Sequence, residues 1–198
     1  MLDSDAFAIV GMAGSLRSGS FNRALLQAMA ELAPDGISID TFDLSPVPLY
    51  NADLDESVDG GPYPDAVRDL RAAVEQADAL LLTTPEYNWG PSGVLKNAID
   101  WLSRPAGASP LNQKPIALAG ASKGMSGTGR GQLQLRQNLL ATNSYVLQRP
   151  VIQIGNAKDH FDEHLRLVDE DLRTRICDQL IALREWSRRH QPMSAPLP

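Results

Sequence analysis

Short apolar runs alternate along this chain with stretches of helical period. Residues 6–10 form the first apolar run and predict a strand. Residues 22–33 place Leu25, Leu26, Met29 and Leu32 on one helical face. Residues 37–42 alternate Ile37, Ile39 and Thr41 with polar neighbours, as a strand near a sheet edge does. Residues 66–77 carry Val67, Leu70 and Val74 at helical spacing, and 79–82 are continuously apolar, the mark of a strand covered on both faces. A helix over 94–102, a buried strand over 115–120, a helix over 132–141 and a strand over 151–154 follow. A long helix over 165–186 closes the pattern, with Leu165, Val168, Leu172, Ile176, Leu180 and Leu183 on one side. Five strand–helix units imply a parallel sheet with helices on both faces, and ligands at the carboxyl ends of its strands. The proline-rich stretch 43–63 is too long for a plain connection and is read as a functional or disordered loop.

Composition narrows the picture. A chain of 198 residues with 43% apolar and 21% charged positions fits a single domain, taken here as 1–190. The segment 191–198 has three prolines and little to bury, and is expected to be a disordered tail. A net charge of −6 speaks against nucleic acid as a partner. The start of the chain has neither the basic flank nor the long apolar run of a signal peptide, and no stretch suits a membrane span. The lone cysteine, Cys177, excludes an intrachain disulfide, fits a reducing compartment, and falls on the apolar stripe of the last helix. A cytoplasmic protein without membrane contact is expected.

Three segments follow strands and should meet at the carboxyl edge. The first is "GMAGSLRSGSFNRALL", 11–26. A helix N-terminus attracts anions, Ser15, Ser20 and Asn22 add neutral donors, and Arg17 adds a planar cationic fork suited to phosphate oxygens. A terminal phosphate carries about −1.5 to −2 charges near neutral pH, so arginine with hydroxyls points to a mononucleotide end. The second is "PEYNWGPSGVLKNAIDW", 85–101, where Asn88, Gly90 and Pro91 force a turn flanked by Tyr87 and Trp89, an edge suited to a flat heterocycle. The third, "GASKGMSGTGRGQ", 120–132, has five glycines for close backbone approach, Ser122 to line a ring, and Lys123 and Arg130 to attract a second anion.

No P-loop, GxSxG elbow or Ser–His–Asp set is present. His160 and His164 have the i,i+4 spacing of metal ligands, but "KDHFDEHLRL" reads more simply as a polar helix start, and no metal is expected. A chain poor in acids and bases at its strand ends, yet rich in ring- and phosphate-binding features, suggests that a cofactor carries the chemistry and no side chain acts as a covalent catalyst.

"GSLRSGSFNRAL", "PEYNWGPSGVLKNAIDW" and "GASKGMSGTGR", in this order, closely resemble the NADPH-dependent FMN reductases of the flavodoxin-like fold, including bacterial quinone, chromate and azobenzene reductases. The resemblance implies a three-layer, doubly wound sandwich around a five-stranded parallel sheet of order 2-1-3-4-5. It implies FMN held at the phosphate by Ser15, Arg17, Ser20, Phe21 and Asn22. Pro85, Glu86, Tyr87 and Asn88 would border the isoalloxazine, Trp89 stands at the same turn, and Ser122 would lie opposite. It further implies hydride transfer from NADPH or NADH to flavin N5, a small-molecule electron acceptor such as a quinone, azo compound, metal oxyanion or free flavin, and a homodimer or homotetramer. Two other readings stay open here: a flavodoxin-type electron carrier, and a Rossmann dehydrogenase using Asp40 or Asp43 for a ribose, though GxGxxG is absent.

Overall fold

The computed structural model describes residues 6–190; the expected tail lies outside them. Its elements run β1 (Phe7–Ala13), α1 (Phe21–Glu31), β2 (Ile37–Phe42), α2 (Asp65–Gln76), β3 (Ala79–Thr83), α3 (Gly93–Leu102), β4 (Pro115–Ala121), α4 (Gly129–Ala141), β5 (Tyr145–Val146), β6 (Ile152–Ile154) and α5 (Glu170–His190). The strands pair in the order β2-β1-β3-β4-β5, every pairing parallel, as the resemblance implied.

The alternation of side chains along each strand divides the core. Ile9, Leu81 and Ala117 face α1 and α5, where they meet Leu25, Met29, Ile176 and Leu180. Val10, Leu80, Leu82 and Leu118 face the other way, onto Leu70 of α2, Leu95 of α3 and Leu135 of α4. Central strands packed on both faces read as nearly continuous apolar runs, and all five residues of β3 are buried, with Thr83 at its end the one polar side chain.

The structure corrects the expected fifth strand. Two short strands share the outer edge of β4: β5 pairs with its start and β6 with its end. Residues 147–151 leave the sheet between them. The buried Gln179 of α5 fills the gap, its Nε2 donating to Leu118 O at 3.1 Å and Pro150 O at 2.9 Å. An amide reaching in from a helix thus satisfies a carbonyl that the broken strand cannot.

The last helix is shorter at its start than its apolar spacing predicts. Leu165 has a left-handed backbone, φ 60°, and Val168 is exposed, so neither belongs to the helical stripe. Residues 160–168 fold back as a narrow hairpin instead. Phe161 bridges Leu167, and the Asp162 carboxylate accepts the N–H groups of His164 and Arg166. Asp169 Oδ1 then caps α5 by accepting from Leu172 N, while its Oδ2 meets His160 Nδ1 at 2.7 Å. His160 and His164 therefore sit on a hairpin, not at a helix start. Cys177 is half-buried beside the stripe, with Sγ donating to Leu32 O at 3.4 Å.

The 43–63 loop is ordered. Two short 3-10 turns, Ala52–Leu54 and Glu56–Val58, take up its length. It is fastened to α3: Asn97 accepts Tyr50 N at 2.8 Å, and both Asn97 Nδ2 and Trp101 Nε1 donate to Pro48 O at 2.8 Å. Tyr50 packs edge-on to Trp101 with ring centroids 4.8 Å apart. Asp55, fully buried, closes the loop from inside by accepting from Ser57 N, Ser57 Oγ and the Tyr50 hydroxyl.

Candidate functional site

β1, β3 and β4 end at one edge of the sheet, and the three glycine-rich segments leave from there. The segment after β1 turns into α1 at Ser20. Ser20 Oγ accepts the N–H groups of Asn22 and Arg23, a capping arrangement that fixes the start of the helix. No acidic residue lies in the first turn of α1, so its positive end is not offset from within. Gly14 allows the close approach that the turn needs: a Cβ there would lie 2.5 Å from Ser92 Oγ and 2.7 Å from the side chain of Leu95. The chain therefore crosses α3 in contact before reaching Ser15.

Asn22 does a different job from the one its type suggests. Its buried amide grips the backbone of Ala121 twice, with Nδ2 donating to Ala121 O at 3.0 Å and Oδ1 accepting Ala121 N at 2.9 Å. β3 ends at Thr83, so Asn22 occupies the ladder position that β3 vacates beside β4. Thr83 Oγ1 donates in turn to Asn22 O at 2.9 Å. The first and third segments are thereby locked together.

The second segment folds as a tight hairpin. Tyr87 and Gly90 exchange both backbone hydrogen bonds, at 3.0 and 2.9 Å. Asn88 and Trp89 between them have φ 50° and 67°. Two successive left-handed residues are the requirement of a type I′ turn, and asparagine suits the first place. A tryptophan in the second carries a cost of roughly 1–2 kcal/mol. Glu86 points away from the turn. Its Oε2 accepts the N–H groups of Arg130 and Gly131, at 2.9 and 3.1 Å, so the carboxylate caps α4 from outside the helix. The Arg130 guanidinium lies 4.6 Å from the centre of the Trp89 ring and approaches Glu86 Oε1 with Nη1 at 3.6 Å.

These fastenings leave an open cleft of about 410 Å³ between the three segments. Ser15, Arg17, Ser20, Phe21 and Asn22 line it from the first, Pro85, Glu86 and Tyr87 from the second, and Ser122 from the third, together with Ala121 and Lys123. Asn88 and Trp89 do not line it; they form the tip of the hairpin at its side. The Ser122 hydroxyl donates to Gly124 O at 2.9 Å and keeps its lone pairs. The Phe21 ring is backed by Phe161 of the 160–168 hairpin, centroids 5.4 Å apart.

The donor set fits a mononucleotide. The first segment brings the Arg17 cation, serine hydroxyls and an unopposed helix start, the second brings backbone groups and an aromatic edge, and the third brings Ser122 and Lys123. The Ala121 clasp and the support from Phe161 have no local sequence signal, since both partners lie far along the chain. The Glu86 cap could have been suspected from Gly129 and Gly131, which leave the start of α4 open. Among the described residues no group of three or more His, Cys, Asp or Glu side chains is placed to hold a metal, and no helix is long and apolar enough to cross a membrane.

The chain is 47% identical over 186 residues, 94% of its length and 98% of the other's, to an NAD(P)H-dependent FMN reductase of Pseudomonas aeruginosa. It is 37% identical to a 2-hydroxy-1,4-benzoquinone reductase of a Burkholderia species, covering 92% of this chain and 97% of that protein. Among solved structures, the flavoenzyme NAD(P)H:(acceptor) oxidoreductase of Paracoccus denitrificans superimposes with a TM-score of 0.83 at 30% identity, covering 93% of this chain and 99% of that one. Residues 7–159 match the family described as NADPH-dependent FMN reductase, and the chain belongs to that family.

Proposed function

We propose that FMN lies in this cleft with its phosphate on the segment after β1 and its ring against residues 85–87. Family membership makes the chain an FMN-dependent NAD(P)H oxidoreductase, and the electron-carrier and Rossmann-dehydrogenase readings lose their support. The observation that carries the proposal is convergence: of the eleven flavin contacts expected from the sequence, all but Asn88 and Trp89 line one cleft.

The residues divide the work by type. Arg17 offers a charged fork to the phosphate, and Ser15 a hydroxyl. Ser20 and Asn22 act one step back, the first by setting the start of α1 and the second by holding it to β4. Pro85–Tyr87 present backbone groups to one edge of the ring, and Ser122 closes the other side. When bound, FMN supplies a ring that accepts hydride at N5 from NAD(P)H and passes electrons to the acceptor. The protein binds, orients and shields that ring; no side chain of the cleft is needed as nucleophile or metal ligand. A small oxidised organic molecule of the quinone class is the acceptor we infer, since a quinone reductase stands among the relatives. We further infer a cytoplasmic enzyme that self-associates through α3 and the 43–63 loop, where Leu49 and Leu54 are exposed.

Fluorescence titration of FMN and riboflavin against wild type and Arg17→Ala tests the cleft. Arg17 is exposed, and its one hydrogen bond, from Ser20 N–H to its backbone carbonyl, survives truncation of the side chain, so the substitution costs the fold little. A charged hydrogen bond near solvent contributes about 1.5–2 kcal/mol, so FMN affinity should fall roughly ten- to thirty-fold while riboflavin affinity holds. Equal weakening of both flavins would show that Arg17 does not meet the phosphate. Wild-type protein that binds no FMN would end the proposal.

A further inference from the structure

A second open cavity, of about 500 Å³, lies at the outer edge of the sheet and shares no lining residue with the flavin cleft. Gln132 and Arg136 of α4 form one wall; Gln148, Arg149 and Gln153, from the stretch where the sheet edge breaks between β5 and β6, form the other. The lining holds two arginines and no acidic residue, in a chain whose net charge is −6.

Neither arginine has a counter-charge. Arg136 is half-buried, and its partner is neutral: Nη1 donates to Leu147 O at 2.9 Å. Burial works against its charge and pushes its pKa down, with no carboxylate among the described residues to offset the effect. The exposed side chain of Arg149 has no hydrogen-bond or ion-pair partner among the described residues. A cation drawn partly out of water is ordinarily paired, so the missing anion points to a ligand. Gln132 adds the opposite demand. It is buried, and its Nε2 donates to Ile152 O at 2.9 Å and to Thr128 Oγ1 at 3.2 Å, which fixes the amide and leaves Oε1 without a donor. A buried acceptor left unpaired is an exception in folded proteins.

The two guanidinium forks stand on different elements, so they suit two anionic groups on one molecule better than a single concentrated charge. We propose that this cavity binds a small dicarboxylate that carries a hydroxyl group, with one carboxylate on Arg136, the other on Arg149, and the hydroxyl donating to Gln132 Oε1. The amides of Gln148 and Gln153 supply further donors to the carboxylates. The inference does not rest on the reading of the flavin cleft.

Calorimetric titration of the purified protein, with excess FMN present so that the phosphate-binding segment is filled, tests the site with four probes. These are malate, succinate (the same diacid without the hydroxyl), butanoate (one carboxylate) and glycerol 3-phosphate (one phosphate monoester). Succinate should bind about ten-fold or more tightly than butanoate, and malate about two- to ten-fold more tightly than succinate, by one charged and one neutral hydrogen-bonding group respectively. Glycerol 3-phosphate should bind more weakly than malate. Arg149→Gln, which removes no contact within the fold, should weaken malate about ten-fold or more. No saturable binding of malate by wild type, equal binding of succinate and butanoate, or undiminished malate affinity in Arg149→Gln would overturn the site. Malate no tighter than succinate would overturn the role of Gln132, and tighter binding of glycerol 3-phosphate would overturn the assignment to a dicarboxylate.

Discussion

Replacing Asn22 by alanine separates a residue that touches phosphate from one that builds the site. The Asn22 amide makes two hydrogen bonds to Ala121, at 3.0 and 2.9 Å, in a buried position. Alanine leaves the N–H and the C=O of Ala121 without these partners, at about 1–3 kcal/mol each, so the sum is about 2–6 kcal/mol. Water entering from the cleft offsets part of this, which places the expected loss at about 2–3 kcal/mol. For a chain of this size that corresponds to a fall in Tm of about 5–10 °C, measured by calorimetry on flavin-free protein. FMN and riboflavin should weaken by similar factors, because the clasp aligns two walls of the cleft and does not recognise the phosphate. Asn22→Asp should behave differently. Its carboxylate still accepts Ala121 N–H, but it faces Ala121 O and sets a negative charge beside the phosphate site, so FMN should suffer more than riboflavin. An Asn22→Ala protein with unchanged Tm that loses FMN but keeps riboflavin would refute the reasoning and return Asn22 to direct phosphate binding.

Acid should loosen the 43–63 loop through Asp55. Burial alone raises the pKa of this carboxyl, but hydrogen bonds from Ser57 and Tyr50 outweigh it and hold the value below the ordinary one. A depressed folded pKa contributes stability that is present above the unfolded value near 4 and drains as pH falls through the folded value. Asp55→Asn should therefore flatten the pH dependence of Tm below about pH 4, and an undiminished slope would exclude Asp55 as its source. Gly120→Ala should cost more than the usual 1–3 kcal/mol of overpacking, since a Cβ there would lie 2.0 Å from Thr128 Oγ1 and 2.6 Å from Thr84 O; a near-normal denaturant midpoint would show that β4 can shift where we hold it fixed. Glu86→Ala removes both the acceptor for the start of α4 and the charge shared with Arg130, so hydrogen exchange at Gly131 should quicken, and an unchanged rate would deny Glu86 the capping role.

Apolar spacing and turn chemistry carried most of the architecture. Continuous apolar runs at 79–82 and 115–120 could be satisfied only by helices on both faces, and the glycine- and serine-rich turns after the first, third and fourth runs marked the edge where a ligand sits. The position of Arg17, Ser15 and Tyr87 along the chain was enough to nominate them, because each follows a strand within a few residues and local geometry does the rest. What the linear pattern left undecided depends on partners distant in sequence. The spacing of Leu165 and Val168 fits a helix, but the bridge from Phe161 to Leu167 and the Asp169 cap end that periodicity at residue 170. An asparagine after a serine reads as a ligand donor until tertiary packing brings Ala121 against it, 99 residues on. A glutamate at the ring edge reads as a flavin contact, and nothing in the linear pattern shows that α4 will also meet its carboxylate with two open N–H groups. Side-chain type determined which groups could hold a phosphate or a ring; only the folded contacts decided which of them were already committed to holding the protein together.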